Sequence, residues 1–406
     1  MHNLTKIKVY RLLLRISYLL SWIFVYPFVL LRKKSSSPLF FFFDRYAIGG
    51  AQRIYLDVLK SVEDIPKQIY FTRFSLNDKL KNEFYSIPRA TVKDIHRWCD
   101  NLLFRLFTVH YYAFYINRHA IAHVFSSNST FFFDMLPFLH RNVQTTELFH
   151  NFAHNKNGLE FFGLANHGYL TNRVIYDNYT LSNITRQYEE YGVDPAYLNN
   201  IRFIEPGVFI PGSINKDFSL PLKVLYAGRG GPQKRVWILN QVIEKLTDEN
   251  VPVKFYFAGT MTADLSDFSK QQATVYGGIS SQKDMYAIYE ESHVLILTSA
   301  YEGFPMVIKE AMACGCVPVV TALEGNKMHL THDRNALLIE SIEEEDKVAE
   351  EAITIIHRLV HYPDELRRLS VAAYEYARDH FTKQPFFEKC RALLLTTTPP
   401  RDQINI

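Results

Sequence analysis

Apolar residues fill five consecutive positions in the run LFFFF, 39–43, with no polar alternation, which is the pattern of a strand covered on both faces. The polar stretch DRYAIGGAQR follows, and Ile54, Leu56, Val58 and Leu59 then mark a helix, so strand, Gly-Gly loop and helix make a first βα unit. The succession recurs. AIAHVFSS (120–127) predicts a strand before a helix from Thr130 to Leu139, VQTTELF (143–149) another strand, and RVIYDN (173–178) a strand before a helix through Tyr191. PGVFIPGSINKDFSLPL, from Pro206 to Leu222, is rich in Pro, Gly and Ser and breaks the pattern. Beyond it come LKVLYAG as strand, a helix from Val236 to Leu246, VKFYFAG and TVYGG as strands, and a helix from Lys283 to Glu291. VLILTS, a helix from Pro305 to Ala313, CVPVV, an acidic helix start at Glu340–Glu351 and a helical stretch from Asp364 to Leu394 broken at Pro385 complete it. Alternation of this kind predicts an α/β protein of Rossmann-like doubly wound parallel sheets. The domains expected are 44–210 and 221–375, joined by a linker at 211–220, with 376–406 carrying a last helix that crosses back to the first domain.

Residues 1–43 stand apart. ISYLLSWIFVYPFVLL, Ile16 to Leu31, holds no charge, and Arg11 and Arg15 precede it while Arg32, Lys33 and Lys34 follow. At sixteen residues it is short for a spanning helix, which needs about 20, and no small-residue cleavage site follows. Residues 1–34 are therefore expected to attach to a membrane surface as an in-plane or shallow anchor, with a span and a buried helix as the alternatives.

Composition narrows the classes. The chain is 48% hydrophobic and 21% charged, which excludes wholesale disorder. Its net +3 conceals a division, because seven basic residues precede the first acid, Asp44, leaving the remainder mildly acidic. A nucleic-acid surface is not expected on such a body. Four cysteines without a paired pattern make no disulfide framework, and Cys314 and Cys316 read as small buried hydrophobes. Eight of the fifteen histidines fall between His96 and His167, but His150 and His154 lack the glutamate of H-E-x-x-H, and no metal site is expected.

Gly49 and Gly50 open a helix after the first strand, where free N–H groups meet an anion or merely turn the chain. G-x-G-x-x-G and G-x-x-x-x-G-K-[ST] are absent. In AGRGGPQKR, Arg229 ends a strand and Lys234 follows at an expected helix start, so two cations reach the carboxyl edge of the second sheet, a pairing suited to a diphosphate. Glu302 lies past the strand VLILTS, and Glu310, eight residues on, falls in the helix that Pro305 begins; a carboxylate there can accept both hydroxyls of a ribose.

Taken in this order, the pieces resemble the retaining GT-B glycosyltransferases of the family-4-like group, the glycosyl transferases group 1. The likeness is most specific from Leu222 to about Phe381, in Gly228-Arg229-x(4)-Lys234, the FYFAG strand, and Glu302-x(7)-Glu310 with EGFP and EAMACGCVPVV around it. It is thinner earlier, resting on GGAQR, on ELFHN around His150, and on YGVDPAYLNNIRFIEPGV. The resemblance implies that Arg229 and Lys234 neutralise a nucleotide diphosphate, that Glu310 binds its ribose, and that Glu302 and His150 reach the donor sugar. Gly228, Gly303, Phe304 and Pro305 would line it through backbone, and Gly49 and Gly50 from the first domain. The catalytic set is thus Glu302, His150, Arg229 and Lys234. Departures exist: Arg235 replaces the usual glycine after the lysine, Pro206 an asparagine, and EGNKM (324–328) the usual Gly-Gly-x-Pro-Glu element.

The expected enzyme has two such domains facing a cleft. It moves a sugar with retention from a UDP- or GDP-linked donor to a saccharide or lipid-linked saccharide, in lipopolysaccharide, capsule or similar synthesis at the cytoplasmic face of the cell membrane. No cofactor or metal is expected, because Asp-x-Asp is absent. A non-catalytic nucleotide-sugar-binding or scaffold protein of the same fold is the alternative, and a phosphorylase or epimerase of that fold another.

Overall fold

The computed structural model describes residues 3–47, 49–150, 152 and 158–396. The chain forms two compact units, one of Met1–Tyr176, Thr180–Glu205 and Phe386–Ile406, the other of Asp177–Tyr179 and Pro206–Pro385. Each is built on one parallel sheet.

The first sheet holds β1 (Leu39–Phe43), β2 (Lys67–Phe71), β3 (Ala90–Asp94), β4 (His123–Ser127), β5 (Gln144–Leu148), β6 (Asn172–Ile175) and β7 (Ile201–Phe203), in the order β3-β2-β1-β4-β5-β6-β7. All its neighbours are parallel, with Leu39 opposite Lys67 on one side and His123 on the other. Every residue of β1 is buried, which is why LFFFF shows no alternation. Phe42 stacks on Tyr70 at 4.9 Å and Phe43 on Tyr55 at 4.3 Å, so the aromatic excess of the chain fills this core.

The second sheet holds β8 (Leu222–Arg229), β9 (Val253–Thr260), β10 (Ala273–Gly277), β11 (Val294–Leu297), β12 (Val317–Thr321) and β13 (Leu337–Ile339), in the order β10-β9-β8-β11-β12-β13, again all parallel. One apolar core runs through this unit, with Val224, Ile243, Ile296, Ile308 and Val319 fully buried in it.

Several boundaries differ from expectation. The stretch 211–220, expected as a linker, lies within the second unit, where Lys216 Nζ donates to the carbonyls of Tyr289 (2.8 Å) and Glu290 (3.0 Å) and His293 Nε2 bonds the Asp217 carbonyl at 2.6 Å. The C-terminal break falls at Phe381–Thr382, between helices Pro363–His380 and Lys383–Leu395, not at Pro385. Proline costs nothing there because a first-turn residue has no intrahelical N–H bond to lose. Lys234 lies in a turn, and the next helix begins at Ile238.

The N-terminal segment is helical well before its apolar run: α1 spans Asn3–Phe24 and α2 spans Tyr26–Leu31, with Pro27 in the first turn of α2. Among the described residues no helix is long and apolar enough to cross a membrane, so the spanning alternative is set aside.

Candidate functional site

In the second sheet the chain leaves β8 toward one edge and returns at β11 on the other side, so the loops after β8 and β11 part at the carboxyl edge, where ligands of open α/β sheets sit. The sequence-predicted cations and acids stand on those loops. Arg229 is the last residue of β8, and its Nη2 donates to Gln233 Oε1 at 2.7 Å. Gln233 Nε2 in turn donates to the Tyr301 carbonyl (3.1 Å) and to Glu302 Oε2 (3.3 Å). Lys234 Nζ forms an ion pair with Glu302 Oε1, with only 11% and 10% of the two side chains exposed. The structure thus brings Arg229, Lys234 and Glu302 into one network through Gln233, a residue that nothing in the sequence distinguished.

Three features hold this loop pair in shape. Arg235 sits at φ +45°, a left-handed conformation that explains the glycine usual at this position, and its guanidinium donates to the carbonyls of Thr298 (2.9 Å), Ser299 (3.2 Å) and Ile342 (2.7 Å). Buried and so bonded, it ties the loop after β8 to the end of β11. Asp264, in the loop after β9, accepts from the Gly231 N–H at 2.7 Å. Tyr226 donates to the Arg229 carbonyl at 2.6 Å, and burial first, then the charges of Glu302 and Asp264, pushes its hydroxyl far above the ordinary range.

Past Glu302, Gly303 and Phe304 turn into helix Met306–Ala313, with Pro305 as its N-cap and no side chain capping the first N–H groups. Phe304 is buried against His329, ring centroids 4.6 Å apart, so it offers the site its backbone and not its ring. The short helix Glu324–Lys327, in the departed EGNKM element, packs backbone to backbone on this turn: a Cβ at Gly325 would lie 1.6 Å from the Gly303 carbonyl oxygen. Glu310, one turn into its helix, accepts from the buried Tyr289 hydroxyl at 3.1 Å. Gly228, the penultimate residue of β8, is followed directly by this network.

The remaining expected residues lie in the first unit. Gly49 is the N-cap of helix Gly50–Lys60, at the carboxyl edge beyond β1, again without a side-chain cap. His150 follows β5 by two residues, and both its nitrogens are engaged: Nε2 with Ser127 Oγ at 2.8 Å and Nδ1 with Tyr176 Oη at 2.9 Å. Tyr55 completes the surroundings, accepting from Asn128 Nδ2 at 2.8 Å and donating to Asp44 Oδ1 at 3.3 Å. His154 lies outside the described residues.

Burial lowers the pKa of His150 to about 4, and those of His110 and His123 likewise. Each is neutral in the fold but takes up a proton near 6.5 when free, so its contribution to stability is complete above 6.5 and is lost as pH falls toward 4. The excess melting temperature of the wild type over His123→Gln should therefore shrink between pH 6.5 and 4. A constant difference would show that His123 is not held neutral.

Residues 221–358, about a third of the chain, match the family model of the glycosyl transferases group 1. No curated protein matches the chain. Among solved structures, TarM aligns at TM-score 0.69 and 14% identity over 90% of this chain and 100% of its own. The lipopolysaccharide outer core galactosyltransferase WaaB aligns at 0.63 and 18% over 87% and 98%. Anabaena HepE in complex with UDP and glucose aligns at 0.66 and 14% over 87% and 98%. Residues 221–358 thus match the glycosyl transferases group 1, and the chain shares the GT-B fold of these solved structures.

Proposed function

We propose that the chain is a retaining glycosyltransferase that takes a sugar from a UDP- or GDP-linked donor and passes it to a saccharide or lipid-linked saccharide, in the synthesis of lipopolysaccharide, capsule or a similar cell-surface polysaccharide. The observation that carries the reading is the shielded Lys234–Glu302 pair, bridged by Gln233 to Arg229, on the two loops that part at the switch point of the second sheet. As the bond from the anomeric carbon to the diphosphate breaks, negative charge grows on the departing oxygens. The Lys234 ammonium, the Arg229 guanidinium and the uncapped N–H groups of helix Met306–Ala313 are fixed donors for that charge. With the nucleotide at this edge, Glu310 takes the ribose hydroxyls and Glu302 flanks the sugar while holding the Lys234 ammonium in place.

In this reading His150 serves the donor sugar as a neutral imidazole, exchanging its Ser127 or Tyr176 partner for a sugar hydroxyl. Gly49 and Gly50 contribute backbone from the first domain. The reaction needs no divalent ion, since the cations and the helix N-terminus meet the charge and the chain has no Asp-x-Asp. The structural neighbours support the nucleotide and the acceptor class: HepE is solved with UDP-glucose, and WaaB is a lipopolysaccharide outer core galactosyltransferase. A lipid-linked acceptor suits an enzyme held peripherally at the cytoplasmic face of a membrane.

Thermal-shift measurements with UDP-, GDP- and ADP-sugars in EDTA test the donor site. One nucleotide class is expected to raise the melting temperature by several degrees, as a ligand at a hundred times its Kd adds about 2.7 kcal/mol. No shift with any of them would overturn the site. Activity lost in EDTA and restored by manganese would overturn metal independence, and a product of opposite anomeric configuration would overturn retention.

A further inference from the structure

We propose that α1 and α2 are the face on which the first domain lies flat against an anionic lipid bilayer, with the outward side chains of α1 in the acyl boundary and its cations at the phosphates. The proposal deepens the membrane part of the reading above and is independent of the transfer chemistry.

The helix presents an aliphatic stripe outward in addition to the Ile7 and Leu14 that it buries. Val9, Leu12, Ile16, Leu19, Leu20 and Ile23 recur at spacings of three and four, share one face of α1, and are 45–71% exposed. The opposite face is buried and partly polar. Ser17 Oγ bonds His110 Nε2 at 2.9 Å, Ser21 Oγ donates to the Ser17 carbonyl at 2.8 Å, and Arg11 Nη2 reaches the Ala165 carbonyl and Asn166 Oδ1, both at 2.6 Å. Tyr18 also stacks on Phe138 at 5.1 Å. The contacts of Ser17, Arg11 and Tyr18 with other elements fix the rotation of α1, so its aliphatic stripe cannot turn inward to join the core. The stripe continues into α2, where Phe28, Leu30 and Leu31 are 52–84% exposed while Arg118 Nη1 holds the Arg32 carbonyl at 2.8 Å. An exposed apolar surface of this extent marks an interaction face.

Charge selects the occupant. At 3.6 residues per turn, Lys6 falls on one flank of the stripe and Lys8 and Arg15 on the other, and Lys33 and Lys34 follow α2. All five are exposed, and none has an acidic partner among the described residues. A second copy on this face would set cations against cations with no acid before Asp44 to relieve them. An anionic bilayer matches both parts, taking aliphatic side chains below its headgroups and cations among them. The helix lies in the plane and does not cross, because the apolar run is divided between α1 and α2 and the inner face stays bound to the domain.

Flotation of the full-length protein with vesicles tests this, with no sugar nucleotide present. Vesicles of three parts phosphatidylcholine to one part phosphatidylglycerol are expected to carry the protein up, and phosphatidylcholine alone far less. Lys8→Gln with Arg15→Gln should weaken binding about thirtyfold, roughly fivefold per cation. Ile16→Glu with Leu19→Glu should abolish flotation without lowering the melting temperature, both positions being exposed. Were that pair to misfold, the cation variant still reads the electrostatic half. Failure of the wild type to float, or flotation of the glutamate variant like wild type, would overturn the proposal. So would a wild-type dimer that fails to float and that the glutamate pair dissociates, showing that a second copy covers the face. Loss of the transferase reading would leave flotation unchanged, and lost flotation would leave donor binding unchanged.

Discussion

Lys234→Ala is expected to weaken nucleotide-sugar binding about tenfold to a hundredfold, the worth of one charge-assisted contact of about 1.5–3 kcal/mol. Turnover should fall further, by about 10² to 10³, because the ammonium faces charge that is greatest in the transition state. The variant also leaves the Glu302 carboxylate, 10% exposed, without its counter-charge, which repels the incoming diphosphate. Two companions separate these effects. Lys234→Ala with Glu302→Gln removes the repulsion and should recover fold stability but not donor affinity. Glu310→Ala, outside the ion pair and bonded to Tyr289, should weaken binding to a similar degree with a smaller effect on turnover, as a group serving the ribose. Titration calorimetry reads all three, and unchanged donor affinity in both Lys234→Ala and Glu310→Ala would show that the donor does not bind at this edge.

Arg173→Met should lower the stability of the first domain by about 3–5 kcal/mol, the largest structural effect expected of a single substitution here. Arg173 Nε pairs with Glu147 Oε2 at 2.9 Å across neighbouring strands β6 and β5, with 2% and 5% of the side chains exposed. The guanidinium also lies over the Phe149 ring at 4.8 Å. Removing it strands a carboxylate in the core, whereas Arg173→Met with Glu147→Leu replaces the pair by apolar volume and should recover most of the loss. Urea unfolding midpoints distinguish the cases. A single variant within about 1 kcal/mol of wild type would mean that water reaches Glu147.

Much of the architecture was legible in the sequence because central parallel strands are buried on both faces. LFFFF and VLIL are uniformly apolar for that reason, LKVLYAG is interrupted only by Lys223, and Arg229, Lys234 and Glu302 stand within a few residues of the strands that present them. Strands β2 and β3 carry no continuous apolar run, because polar residues interrupt them. Lys67, fully buried at the start of β2, is accommodated only because its ammonium donates to the Glu63 and Pro88 carbonyls at 3.2 and 2.9 Å, partners that no periodicity reveals. Edge strand β3, ATVKD, is half-exposed and carries little apolar signal.

The sequence by itself determined that this chain alternates strands and helices into parallel sheets, that Arg229, Lys234 and Glu302 stand on the loops after two of those strands, and that the N-terminus is basic and apolar. Only the tertiary structure decided that Gln233 joins Arg229 to Glu302, that Lys234 pairs with Glu302, and that Arg235 clamps three carbonyls from a left-handed backbone. It also decided which side of α1 faces out. An apolar run shows that a helix has hydrophobic surface to cover, but Ser17 and Arg11 take the inward side because His110, Asn166 and the Ala165 carbonyl offer them partners there. Those partners lie far along the chain, and hydrogen bonds between distant segments leave no mark on local spacing.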